Sequence, residues 1–431
     1  MVGTFRPRRL LPFALLGTVA LGLAACGGPY PNTTFNHHTE YNTAIDGLWR
    51  ILLYLGTAVF IGVEAALVFV IYKYRRRPDS PQPKPIHGST TLEIAWTVAP
   101  AVILIFIAIP TVKTIFKTQA KASATALQVE AIGHQWWWEF RYPQYGFSTA
   151  NELYLPAGRT VSFQLKTVDV LHSFWIPQMG GKRDLITNRT NYLWFTPNKG
   201  EPSAAYNGAC AEFCGESHSN MKFRTYTVQP EEFDAWVKNQ QSDAVAPIAV
   251  PVVAPTAAVP VKPGAKPSVP VLTASIVPVA NTTEHVPAWT FPEDKIEKEF
   301  GYTIPQTPIP VGNYFNDALL ANGDAARGKT LIVPCSTCHS FTSAIQAKGP
   351  PIIAPNLSHI ASRHTIGAGL YPNDDHHLAR WIKNSPLMKP GSKMQTMGKG
   401  MINPETGKTD AMSIVTDAQI ADIIAYLRSL K

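Results

Sequence analysis

The chain is poor in cysteine, with five in 431 residues, and four of the five fall in two short clusters. It has no glycine-rich phosphate loop, so nothing points to nucleotide chemistry. Histidine is absent from both long apolar runs, 48–72 and 94–112. Haem iron or copper inside a bilayer normally takes imidazole ligands, so any redox chemistry within the membrane must come from another chain. The net charge of +8 is partly gathered in short basic runs beside apolar segments rather than on one broad face. That arrangement speaks for membrane topology before nucleic acid. The length is enough for two or three domains.

The first residues, MVGTFRPRRLLPFALLGTVALGLAACGG, join a basic start (Arg6, Arg8, Arg9) to an apolar stretch and small residues before Cys26. This reads as an export signal over 1–25. Its ending resembles a bacterial lipobox, which implies lipidation of Cys26, with 26–47 as an outer segment. The run 48–72 is long enough to cross a bilayer, which takes about 20 residues. The second span, 93–113, contains Pro100 and Pro110, tolerated better in membrane helices than in soluble ones. Between them, 73–92 carries KYRRRPDSPQPKP, the densest basic run, which belongs in the cytoplasm. Everything after the second span then lies outside, in agreement with the export signal.

From 127 to 240 short apolar and aromatic runs alternate with Pro, Gly and Asn, the texture of an all-β Greek-key sandwich or barrel. The segment 241–312 opens as an Ala/Pro/Val stretch without helical period or turn chemistry, an extended linker; its end, 281–312, carries no assignable pattern. From 313 to 431 the chain is helical again. It closes on TDAQIADIIAYLRSLK, with Thr416 as N-cap and Ile420, Ile423, Ile424 and Leu427 on one face.

In an exported protein the first reading of Cys210 and Cys214 in CAEFCGESHSNM is a disulfide. His218 and Met221 argue against it. Thiolate, imidazole and thioether form a soft donor set suited to copper, and DVLHSFWIP supplies His172 from a distant strand end. A second thiolate allows two bridged metals, with one histidine for each. Taken with GHQWWWEF and TLEIAWTVAPA, these motifs make residues 40–240 resemble subunit 2 of cytochrome c oxidase. The resemblance implies a cupredoxin-like domain in which Cys210 and Cys214 bridge a binuclear copper (CuA) centre. His172 and His218 bind one copper each, and Met221 and the backbone carbonyl of Glu212 lie in weak axial positions. It further implies that the Glu212 carboxylate helps hold magnesium against subunit 1, that electrons come in at Trp136, and that Glu93 opens a proton path. The resemblance gives no role to Glu64, an acid inside the first span. In HQWWWEFRY strict strand alternation would expose Trp137, whereas the resemblance makes Trp136 the entry point; a bulge would reconcile the two.

Cys335-Ser-Thr-Cys338-His339 reads as covalent haem c attachment, with His339 on the iron. This part resembles a class I cytochrome c, which implies a methionine as second iron ligand. Met388, Met394, Met397, Met401 and Met412 compete, and KPGSKMQ selects Met394, although Gln395 stands where that family often has proline. The fold expected is thus a multidomain membrane protein: two transmembrane helices, an all-β cupredoxin-like Greek-key domain and an all-α class I cytochrome c domain. The function implied is electron relay from a cytochrome c, or a quinol:cytochrome c reductase-type complex, through haem c and copper to haem in subunit 1, with subunit 3 alongside. A nitric oxide reductase relay and a copper-delivery lipoprotein are rivals; a quinol oxidase subunit is disfavoured because that branch lacks the copper ligands. About 40 linker residues at about 3.1 Å each reach on the order of 100 Å, so the linker is expected to tether the haem domain rather than position it.

Overall fold

The computed structural model describes residues 32–242 apart from a few positions between 79 and 86, then 289–296, 314–341 and 353–431, with residues 17 and 244 isolated. Cys26, the lipidation candidate, lies outside them.

Helix α1 spans Glu40–Lys73 and α2 spans Thr90–Gln119. Both are apolar enough to cross a membrane. Helix α1 starts eight residues ahead of the apolar run because Thr39 caps it, its hydroxyl accepting from the Asn42 N–H at 3.1 Å. Those polar first turns are fastened to the β domain. Tyr41 enters its core, Glu40 accepts from the Thr196 N–H, and the Asn42 amide donates to the Pro177 carbonyl. The first turns of α1 are therefore part of the β domain's packing.

The β domain consists of β1 (Leu127–His134), β2 (Trp137–Tyr142), β3 (Phe147–Ala150), β4 (Glu152–Pro156), β5 (Val161–Thr167), β6 (His172–Trp175), β7 (Arg183–Leu185), β8 (Asn191–Phe195), β9 (Ala204–Cys210) and β10 (Lys222–Val228). They form two five-stranded sheets, ordered β3-β2-β1-β5-β8 and β4-β10-β9-β6-β7. The pairs β1–β5 and β4–β10 are parallel and the other pairings antiparallel. Between the sheets sit Trp138, Phe140, Phe174 and Phe223, with ring centroids 5.1–5.7 Å apart along the closest pairs. Such pairs add about 0.5–1.5 kcal/mol each beyond the area they bury. Helix α3, Pro230–Gln241, closes one end with Phe233 and Trp236 in the core.

The aromatic run resolves differently from the expected bulge. Gln135 and Trp136 form the turn of the β1–β2 hairpin, in which His134 pairs with Trp137. Two turn residues leave the alternation in step, so Trp138, Phe140 and Tyr142 fill the core. Trp137 is not exposed: it stacks on His134 at 4.0 Å and is buried with Ala150 and Ala368.

The C-terminal domain contains α4 (Ala325–Leu331), a short hairpin of β11 (Thr365–Ile366) and β12 (Tyr371–Pro372), α5 (Asp375–Lys383), α6 (Ser385–Met388) and α7 (Asp417–Leu427). Helices α4 and α7 cross closely because Gly328 has no side chain: a Cβ there would stand 2.0 Å from the Asp422 carbonyl oxygen. Arg327 locks the crossing with two hydrogen bonds to the Asp422 carboxylate, at 2.7 and 2.9 Å.

The two domains touch, which corrects the expectation of a tether alone. Ala368 of the helical domain is buried against Trp137 and Ala150, and its carbonyl accepts from the Lys222 N–H at 3.1 Å. The end of the linker also has structure where the sequence showed no pattern. Phe291 is buried in the β-domain core, and Trp289 packs against it.

Candidate copper and haem centres

Three pieces of the β domain converge at one end. The end of β9 gives Cys210, the following loop gives Cys214, His218 and Met221, and the start of β6 gives His172. The sulfurs of Cys210 and Cys214 are 3.8 Å apart. A disulfide requires about 2.05 Å, so the pair is free. His172 Nδ1 lies 3.8 Å from the Cys210 sulfur, and His218 Nδ1 lies 3.5 Å from the Cys214 sulfur. Met221 Sδ is 3.8 Å from the Cys214 sulfur, and the Glu212 carbonyl oxygen is 3.3 Å from that of Cys210. Each thiol thus has its own imidazole. His172, Cys210 and Cys214 are, among the described residues, a group able to hold a metal ion, their donor atoms all within 4.8 Å. The arrangement fits soft metals such as copper. The Glu212 side chain is exposed and is not among that group.

The thiols share their proton unequally. The hydrogen bond from Cys214 drives Cys210 down to about 3 against the effect of burial, while Cys214 is pushed up by the same contact and by burial.

Sequence reasoning missed Asp169. Its carboxylate accepts from His172 Nε2 at 2.8 Å and from the Gln135 N–H at 2.7 Å. Burial pushes the Asp169 pKa up, but these bonds outweigh it and hold the group below the usual carboxylate range. The bond fixes His172 with Nδ1 free toward the sulfur. An acid three residues ahead of a candidate histidine, in DVLH, was the available signal.

Trp136 reaches the same loop. Its indole N–H donates to the Cys214 carbonyl at 2.9 Å, as does the Gln135 amide. The structure therefore brings Trp136 to the cysteine loop and puts Trp138 in the core and Trp137 at the domain contact. Glu93 stands in the first turn of α2, and Glu64 is exposed on α1.

In the helical domain Cys335 and Cys338 lie on and just after a 3-10 turn, Val333–Thr337, with His339 following. The His339 Nδ1–H donates to the Pro355 carbonyl at 2.7 Å, which leaves Nε2 available. Burial lowers the His339 pKa, which favours the neutral ring that an iron ligand needs. The free cysteines, the oriented histidine and an apolar cluster including Cys335 and Phe341 fit a covalently held haem. Met388 and Met397 are buried in the core, whereas Met394 and Met412 are half-buried against the cluster that includes Cys335.

Comparison with known proteins agrees with this reading region by region. Residues 38–114 match the family model for the cytochrome c oxidase subunit II transmembrane domain. Residues 147–228 match its periplasmic domain, and 325–431 match cytochrome c. Cytochrome c oxidase subunit 2 of Bacillus sp. (strain PS3) is 30% identical over 436 residues, 97% of each chain. The subunit 2 of Alkalihalophilus pseudofirmus is 39% identical over 195 residues, 44% of this chain and 56% of that one. Quinol oxidase subunit 2 of Bacillus spizizenii is 35% identical over 206 residues, 45% of this chain and 62% of that protein. The chain is therefore a membrane protein of the cytochrome c oxidase subunit 2 family, with a cupredoxin-like domain and a C-terminal cytochrome c domain fused behind it.

Proposed function

We propose that this chain is the electron-relay subunit of a bacterial cytochrome c oxidase. It takes electrons at its own c-type haem and passes them through a binuclear copper centre to haem in subunit 1, where oxygen is reduced to water and protons are moved. The observation that carries the reading is the convergence of two thiols, each with its own imidazole, on one loop backed by an aromatic core. When bound, the haem and the copper pair supply one-electron redox states, and an electron shared between two bridged metals alters each metal's bonds little.

The residues have distinct tasks. Cys210 and Cys214 would bridge the coppers, His172 and His218 would bind one each, and Met221 and the Glu212 carbonyl would complete the set from weaker positions. Asp169 holds the His172 ring in the tautomer a ligand needs. Trp136 is tied to the cysteine loop through its bond to the Cys214 carbonyl. Cys335 and Cys338 would form the thioethers, with His339 and Met394 on the two sides of the iron. A Met/His pair raises a haem potential, which suits delivery to copper. Buried, closely packed donors hold the ligand set still, so little rearrangement accompanies each electron.

The basic loop after α1 supports a cytoplasmic position for it, and hence outer (periplasmic) placement of both redox domains. Subunits 1 and 3 are the expected partners, with Glu93 at the opening of a proton path and the Glu212 carboxylate sharing a magnesium ion with subunit 1. Metal and haem analysis of the purified complex tests the reading: two coppers and one covalent haem per chain are expected beyond those of subunit 1. Oxygen uptake without nitric oxide consumption separates it from a reductase relay. A complex lacking copper in this chain would refute it.

A further inference from the structure

Trp136 is half-buried, and what covers it is the chain's own haem domain. Gly391 packs on the indole so closely that a Cβ there would stand 2.8 Å from its Cζ3. Gly391 has a φ of +80°, so the backbone conformation and the close approach both require glycine. Beside it the Lys389 side chain is buried, and its Nζ donates to the Trp136 carbonyl at 2.5 Å. The Lys393 ammonium stands 5.9 Å from the indole centroid. The loop that carries the candidate ligand Met394 thus sits on the residue where electrons would come in.

A second contact, away from that loop, fixes the position. The turn between β11 and β12 inserts Ala368 against Trp137 and Ala150. Ala368 has a φ of +64°, a left-handed backbone that a non-glycine residue adopts at some cost. Across the same face Glu152, itself buried, accepts from the His364 and Thr365 N–H groups at 2.7 and 3.0 Å. Both amides belong to the haem domain, so without the carboxylate two donors would be unpaired in the contact.

We propose that the haem domain is latched over Trp136 by the Ala368 turn and Glu152, which closes this surface to any separate cytochrome and makes the fused domain the selected donor. The proposal adds no chemical step to the path. It relies on the proposed function for the direction of electron flow, but the covering of Trp136 does not.

The test uses the whole detergent-solubilised complex as wild type, Ala368→Arg and Glu152→Ala, one change in each domain and neither at a redox ligand. Hydroxyl-radical labelling of Trp136 should rise at least threefold in both variants, with the haem spectrum and copper EPR signal retained. A reduced soluble class I cytochrome c, mixed with oxidised wild type, should reduce the copper only after the fused haem. In the variants direct reduction of copper should appear, with a second-order rate at least tenfold above wild type. Equal labelling of Trp136 in all three proteins, or copper in the wild type reduced ahead of the fused haem, would overturn the latch. Absence of copper from this chain would defeat the proposed function instead, while the labelling would still report on the latch.

Discussion

The two domains hold their candidate ligands in opposite ways. In the β domain His172 and Met221 are fully buried, Cys214 and Cys210 nearly so and His218 half-buried, packed over an aromatic core. In the helical domain Cys338 is exposed, Cys335 and His339 are half-buried, and the candidate sixth ligand comes from a loop. The β scaffold positions its donors by its own packing. The helical domain keeps a place that its prosthetic group must complete. A relay with low rearrangement needs the first arrangement, whereas a haem attached by two covalent bonds permits the second.

The largest expected effect tests this contrast directly. Removing copper with a chelator should leave the β domain folded, with its near-ultraviolet aromatic signal largely unchanged. Replacing Cys335 and Cys338 with alanine, so that no haem is attached, should leave the helical domain unfolded and open to proteolysis. A β domain that also melts without copper would end the distinction.

Methionine substitutions sharpen it within the helical domain. Met388→Ala empties a core position and should cost about 2–5 kcal/mol in unfolding measurements, while keeping the weak sulfur-to-iron absorption. Met394→Ala should cost less stability but remove that band and lower the haem potential. If Met412 or Met401 behaves this way instead, the ligand lies elsewhere.

Asp169→Asn should act only on the copper side. Loss of the charge that holds His172 should weaken metal affinity about 10–100-fold, measured by competition with a chelator, with no change in the haem spectrum.

The smallest effect is on pH dependence. Hydrogen bonds from Arg327 hold Asp422 below its ordinary pKa, outweighing partial burial. An acid with a depressed folded pKa stabilises above its unfolded value, about 3.9, and loses that contribution as pH falls through the folded one. The α4–α7 pair should therefore loosen below about pH 4, seen as a melting temperature that falls with pH in wild type and less steeply in Asp422→Asn.

Most candidate ligands could be named because unusual residue types crowd into two short stretches, 210–221 and 335–339, at chemical spacing; His172 and Met394 came from outside them. What escaped was long-range and made of ordinary residues. Glu152 meets His364, and Lys389 meets Trp136, across more than 200 positions, and none of them is unusual alone. Helix α1 begins ahead of its apolar run because a threonine cap and polar contacts, not hydropathy, decide its start. Trp137 looked exposed because Ala368, which covers it, comes from the other domain more than 200 positions away. The segment 289–296 was hidden by a proline-rich composition that masks two anchoring aromatics.

The central claim is that Cys210 and Cys214 jointly hold two copper ions. EPR spectroscopy of Cys214→Ser in the purified complex tests it most directly. The account predicts loss of the mixed-valence copper signal and of most oxidase turnover, with the haem c spectrum intact; a variant that keeps the mixed-valence signal would contradict it.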